Sequence, residues 1–161
     1  MIEPMGLRAR KKARTRDAIA DAAISLHRFA DHHGEAARVV RDRRPDVSPV
    51  TALHRHFRAG LDRYEPVTGL NDHSEVVAFH RLVFTTPSLA GRLTQYMLED
   101  EEALAGALGP GIHARLRAAQ VLAVQRVLAR ANWQKIADGR TARDVHPEAV
   151  ADADQAFAQL R

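Results

Sequence analysis

Apolar residues along this chain recur at intervals of three and four, and no stretch alternates with the two-residue period of a half-buried strand. The pattern predicts helices throughout. Residues 7–44 form a first helical segment, with Ile19, Ala22, Ala23, Leu26, Ala30, Ala37 and Val40 on one stripe and Gly34 marking a bend or break. Pro45 ends it. Ser48-Pro49 reads as an N-cap followed by N1, where proline gives up an N–H that lacks a partner in any case. The helix it opens turns Val50, Leu53, Phe57, Leu61 and Tyr64 inward. Asp72-x-x-Glu75 predicts a capping box ahead of a helix bearing Val76, Val77, His80, Val83 and Phe84. Thr86-Pro87 repeats the Ser-Pro device and opens a helix with Leu89, Leu93, Met97, Leu104 and Leu108, stopped by Gly109-Pro110-Gly111. The longest pattern, residues 112–136, carries Leu116, Ala119, Leu122, Val127, Ala131 and Trp133. After a polar turn, Pro147 opens a last helix with Val150, Ala153, Phe157 and Leu160. Connections are short except at 67–71, which predicts an all-α antiparallel bundle. The expected division is a basic N-terminal segment, 1–44, and a helical body, 45–161.

A chain of 161 residues is long enough to enclose one core. The absence of cysteine excludes disulfides, thiol catalysis and thiolate metal sites, and it fits a reducing cytoplasm. No apolar run follows the N-terminal cations, and none reaches about 18 residues, so neither a signal peptide nor a membrane span is expected. Charge changes the picture more. Residues 1–44 hold 11 Lys/Arg against 6 Asp/Glu, whereas 45–161 hold 13 against 14. The positive charge therefore belongs to the first segment, an asymmetry suited to an arm that faces a polyanion.

Leu7-Arg-Ala-Arg-Lys-Lys-Ala-Arg-Thr-Arg16 packs six cations into nine positions: Arg8, Arg10, Lys11, Lys12, Arg14 and Arg16. On a helix they cover more than one face, so neighbouring carboxylates cannot neutralise them all. By charge alone the run reads either as a phosphate-contacting arm or as a solvated terminus.

The order of residues adds to the charge. Arg8, Lys11, Thr15 and Arg16, followed by Ile19, Ala22, Ala23 and Leu26, resemble the first helix of TetR-family transcription regulators. Arg81-Leu-Val-Phe-Thr-Thr-Pro-Ser-Leu-Ala-Gly-Arg-Leu93, with the long Ala-rich helix and Pro-initiated terminal helix behind it, is similar to the C-terminal domains of that family, in particular the group typified by regulators of mycofactocin systems. Phe29-Ala-Asp-His-His33 and Arg41-Asp-Arg-Arg-Pro-Asp-Val-Ser-Pro-Val50 resemble the segment leading into such a domain, so the resemblance covers most of the chain. One departure matters. The family's short helix and recognition helix have no counterpart between Leu26 and Pro45, so the resemblance implies phosphate contact without an element to read base edges.

The resemblance also implies a homodimer in which the last two helices, 112–136 and 147–160, form an intersubunit four-helix bundle, with Leu122, Leu128, Phe157 and Leu160 at the interface. It implies a small, largely apolar ligand held between the helices of the body. Phe57, Leu61, His80, Phe84, Tyr96, Met97 and Gln120 are the candidate lining. The competing reading makes the apolar members plain core and His80 a core histidine bonded to backbone.

Other constellations carry less. His32-His33 are adjacent and His54 and His56 are two apart, and neither spacing brings two imidazoles onto one helix face, so no metal is expected. Glu99-Asp-Glu-Glu102 reads as a solvated face. Without a nucleophile elbow, phosphate-cradling glycine loop or dinucleotide fingerprint, neither catalysis nor a cofactor is expected. Two functions follow: a TetR-like regulator with impaired sequence reading, or a ligand-binding or scaffolding dimer with no DNA role.

Overall fold

The computed structural model describes residues 6–17 and 32–161. Ile19, Ala22, Ala23, Leu26 and Ala30 of the first predicted stripe lie outside the described residues. Among the described residues the regular structure is helical, without strands. The chain forms an all-α bundle. Residues 7–17 form a basic helix. It is followed by α1 (Glu35–Asp42), α2 (Pro49–Asp62), a 3₁₀ turn (Pro66–Thr68), α3 (Ser74–Thr85), α4 (Pro87–Leu108), α5 (Ile112–Ala137) and α6 (Ala142–Ala158).

The main core gathers Val40 from α1, Leu53, Phe57 and Leu61 from α2, Leu104 from α4, Val121 and Leu128 from α5, and Val145, Ala149 and Phe157 from α6. The α4 and α5 helices pack side by side as a hairpin, α1 lies along α4, and α2 and α5 both pack on α6. A smaller cluster joins Val83 of α3 to Leu89 of α4, flanked by Phe79, Leu82, Phe84, Leu93 and Tyr96. Although α1 falls in the segment expected to be N-terminal and separate, its Ala37 and Val40 are buried with the body.

Several predicted boundaries coincide with the observed ones for the expected reason. Gly34 takes φ +73°, a left-handed conformation that glycine adopts without a Cβ clash, and it breaks the chain just before α1. Ser48 caps α2, its hydroxyl accepting the Thr51 N–H at 3.2 Å, with Pro49 in the first turn. Gly109 and Gly111 both have positive φ between α4 and α5.

Others are corrected. The predicted capping box at Asp72-x-x-Glu75 does not form: His73 is the N-cap of α3, and Asp72 instead accepts the Ala142 N–H at 2.8 Å, capping α6 from 70 residues away. The last helix opens not at Pro147 but at Thr141, whose hydroxyl accepts the Asp144 N–H at 3.2 Å. Pro147 then sits inside the helix on its solvent side. Tyr64, expected inward on α2, lies beyond the helix end with φ +53° and is exposed.

The connection expected as an unusually long loop is a structured plug. Thr68, Gly69, Leu70 and Asn71 are all buried. The Asn132 side chain of α5 donates to the Thr68 carbonyl at 3.0 Å, and Asn71 donates to the Tyr64 carbonyl at 2.8 Å. A buried loop must find partners for its backbone groups, and these amides supply them.

Candidate functional site

The basic helix is the first site the sequence singles out. Leu7 is 88% exposed, and apart from half-buried Ala13 every residue from 6 to 17 is exposed. At 100° per residue, Arg8, Lys11, Lys12 and Arg16 fall on one side and Arg10 and Arg14 on the other. Arg8, Lys11, Lys12, Thr15 and Arg16 border one shallow groove, and the Thr15 hydroxyl is occupied by the Lys11 carbonyl at 2.9 Å. No carboxylate of the described residues pairs with any of the six cations. A helix with this charge and no buried face gains little from folding for its own sake.

The predicted ligand pocket does not assemble. Phe57 and Leu61 belong to the main core, where Phe57 packs against Phe157 with ring centroids 6.0 Å apart. Tyr96 sits with the smaller cluster, Met97 is half-buried, and Gln120 is exposed on α5. None of the seven borders the 470 Å³ cleft that opens elsewhere on the body. Phe57 and Leu61 thus satisfy helical periodicity because they fill the core.

His80 and Phe84 do come together, with a residue the sequence reading left as core. Their rings stack at 6.0 Å, and Trp133 meets Phe84 edge-on at 5.0 Å. The Arg130 guanidinium lies over both Phe84, 3.7 Å from the ring centroid, and Trp133, at 4.7 Å. Burial pushes the His80 pKa down to about 4; contact with the Val76 backbone opposes the shift and the Arg130 charge adds to it. His80 is therefore a neutral core histidine at physiological pH.

Of the four predicted interface residues, two are buried and two are half-buried against the same core. Phe157 is fully buried in its own protomer's core and stacks on His54 at 4.9 Å. Leu128 is buried in the same core, and Leu122 and Leu160 pack against it. Phe157 and Leu128 therefore have no surface to offer, whereas Leu122 and Leu160 are half-buried. The outward face of α5 is different. Ile112, Leu116 and Val127 are 63%, 52% and 61% exposed, and with Ala119 and Ala123 they occupy an arc of about 80°. The inward residues Ala118, Val121, Leu128, Asn132 and Ile136 occupy the opposite arc. A 26-residue helix that is apolar on two opposite faces has almost no amphipathic asymmetry, so inspection of its sequence could not separate core from outer surface. Leu98 on neighbouring α4 is also 62% exposed, and Glu102 of α4 pairs with Arg115 of α5.

The histidines are spread among carboxylates. His33 meets Asp100 at 2.8 Å, His56 meets Glu35 at 3.4 Å, His54 meets Asp154 at 2.8 Å, and His146 meets Asp62 at 2.9 Å. Each pair ties different parts of the bundle, and among the described residues no three His, Asp or Glu side chains converge as a metal site. Asp100, expected as part of a solvated acidic face, also accepts the Gly34 N–H at 2.8 Å and so fixes the entry to α1. On the far side Lys135 holds Glu148 and Asp152, at 2.8 and 3.2 Å. Burial opposes the Lys135 charge, but hydrogen bonds to both carboxylates outweigh it and raise its pKa. Among the described residues no helix is long and apolar enough to cross a membrane. No protein-family model, curated protein or solved structure matches this chain.

Proposed function

We propose that this chain is a TetR-like, regulator-type protein that associates with nucleic acid through its basic helix and pairs with a second copy through α5. The observation that carries the first half is the basic helix: six cations, exposed, with no carboxylate partner among the described residues. Phosphate contact releases counterions and gives affinity without sequence preference. The α1 helix, eight residues long with Ala37 and Val40 buried, is spent on the core rather than held out toward a groove. Binding is accordingly expected to ignore base sequence.

Fluorescence anisotropy with duplexes of unrelated sequence tests this. The expected outcome is similar affinity for all of them at low salt, weakened by Lys12→Ala with Arg16→Ala. Sequence-selective binding that persists near physiological salt would overturn the assignment, as would no binding at low salt.

A second reading, favoured by the outer face of α5, is a scaffolding dimer with no nucleic-acid role. Run antiparallel against itself, the stripe sets Ile112 against Val127 of the partner subunit and Leu116 against Ala123 of the partner subunit, a self-complementary alternation of large and small. Loss of all duplex binding with the dimer retained would select this reading.

A further inference from the structure

Between the first turns of α3 and the turn from α5 to α6 lies a cleft of about 470 Å³, open on one side. Its α3 wall is Ser74, Val77, Ala78 and Arg81, spaced i, i+3, i+4 and i+7 and so facing one way. Ile136, buried, supplies the floor, and Arg140 stands opposite. The walls are fixed to each other: Asp72, at the rim, accepts the Ala142 N–H at 2.8 Å. Arg140 is also held in place, donating to Glu148 at 2.8 Å and to the Asp144 carbonyl at 3.3 Å, which leaves other guanidinium N–H groups for a guest. The Arg81 guanidinium has neither a carboxylate nor a hydrogen-bond partner among the described residues. The cleft thus combines an apolar floor, one oriented cation, one uncommitted cation and the Ser74 hydroxyl.

From this geometry we infer that the cleft binds a short-chain organic carboxylate, its head on Arg81 and Arg140 and its alkyl body on Val77, Ala78 and Ile136. A planar guanidinium matches a carboxylate in two parallel hydrogen bonds. The fixed charge of Asp72 at the rim disfavours a dianion, which selects a carboxylate over a phosphate. The site is separate from the basic helix and from the outer face of α5, so it does not rest on either reading above.

Butyrate tests this, with butyramide as its uncharged counterpart and inorganic phosphate as the competing anion, followed through the backbone amide signals of the full chain. Butyrate is expected to shift the Ser74, Ala78 and Gly139 amides saturably in the millimolar range, while butyramide and phosphate do not. Arg81→Gln should weaken butyrate about tenfold or more, and Arg81→Lys by less, because the charge remains and the fork is lost. Arg81 is exposed, so both variants should keep the wild-type amide spectrum elsewhere. Unsaturable shifts, equal shifts with butyramide, tighter binding of phosphate than of butyrate, or an unchanged affinity in Arg81→Gln would each overturn the inference.

Discussion

At Gly69 the backbone takes φ +72°, and a Cβ there would overlap the carbonyl group of Ala129 on α5. The turn can close against α5 only because nothing projects from this position, and the Asn132–Thr68 bond depends on that closeness. Gly69→Ala should destabilise the fold by at least about 3 kcal/mol, combining left-handed strain with displacement of packed backbone. Urea unfolding followed by the fluorescence of the single tryptophan measures it; a loss under about 1 kcal/mol would mean that the plug can move away from α5 at little cost. His80 makes a second prediction at this scale. Its folded pKa of about 4 lies below the ordinary 6.5, so the unfolded chain binds the extra proton first as pH falls. Its contribution is fully present above pH 6.5, declines between 6.5 and about 4, and is level below that. The loss across this window is about 3 kcal/mol, and His80→Leu should flatten it. A slope through this window unchanged in the variant would assign it to other groups.

Among the elements, α5 is the one whose two faces have different tasks. The inner face builds the core with α6, and the outer one leaves Ile112, Leu116 and Val127 in water. If α5 pairs two copies as proposed, Leu116→Glu should convert the dimer to a monomer in sedimentation while leaving the helical circular dichroism unchanged, because Leu116 is more than half exposed and outside the core. A wild-type chain that stays monomeric at high micromolar concentration would remove the pairing. Helix identity and most boundaries were legible because periodicity and Ser-Pro, Thr-Pro and Gly-Pro-Gly punctuation are local signals. The inward side of α5 was not: when both faces are apolar the helix has no single amphipathic direction, and only the positions of α3, α4 and α6 decide which side is covered.

Across the whole molecule, charge is unevenly distributed. Residues 1–44 carry 11 Lys/Arg against 6 Asp/Glu, and the rest of the chain is nearly balanced, with Asp62, Glu148 and Asp154 among the carboxylates engaged by His, Lys or Arg. If the Arg8, Lys11, Lys12 and Arg16 side meets a duplex, the logarithm of affinity should fall against the logarithm of salt with a slope of about −3.6, which is four phosphates' worth. Removing Lys12 and Arg16 should reduce the slope by about 2, whereas removing Arg10 and Arg14 on the opposite side should barely change it. Equal effects of the two double variants would show that the helix does not present one side to phosphate.

The amino-acid order by itself determined the all-helical class, the breaks at Gly34, Ser48-Pro49 and Gly109-Pro110-Gly111, and the basic helix, because each depends on neighbours within a turn or two. Only the tertiary structure decided that Asp72 caps a helix 70 residues distant, that Phe57, Leu61, Leu128 and Phe157 share one core, and that residues 68–71 are buried. It also decided that Ser74, Arg81 and Arg140 share a cleft. These outcomes depend on which surfaces meet, and an apolar or charged side chain looks the same in sequence whether its partner is a neighbouring helix, a ligand, a second copy or water.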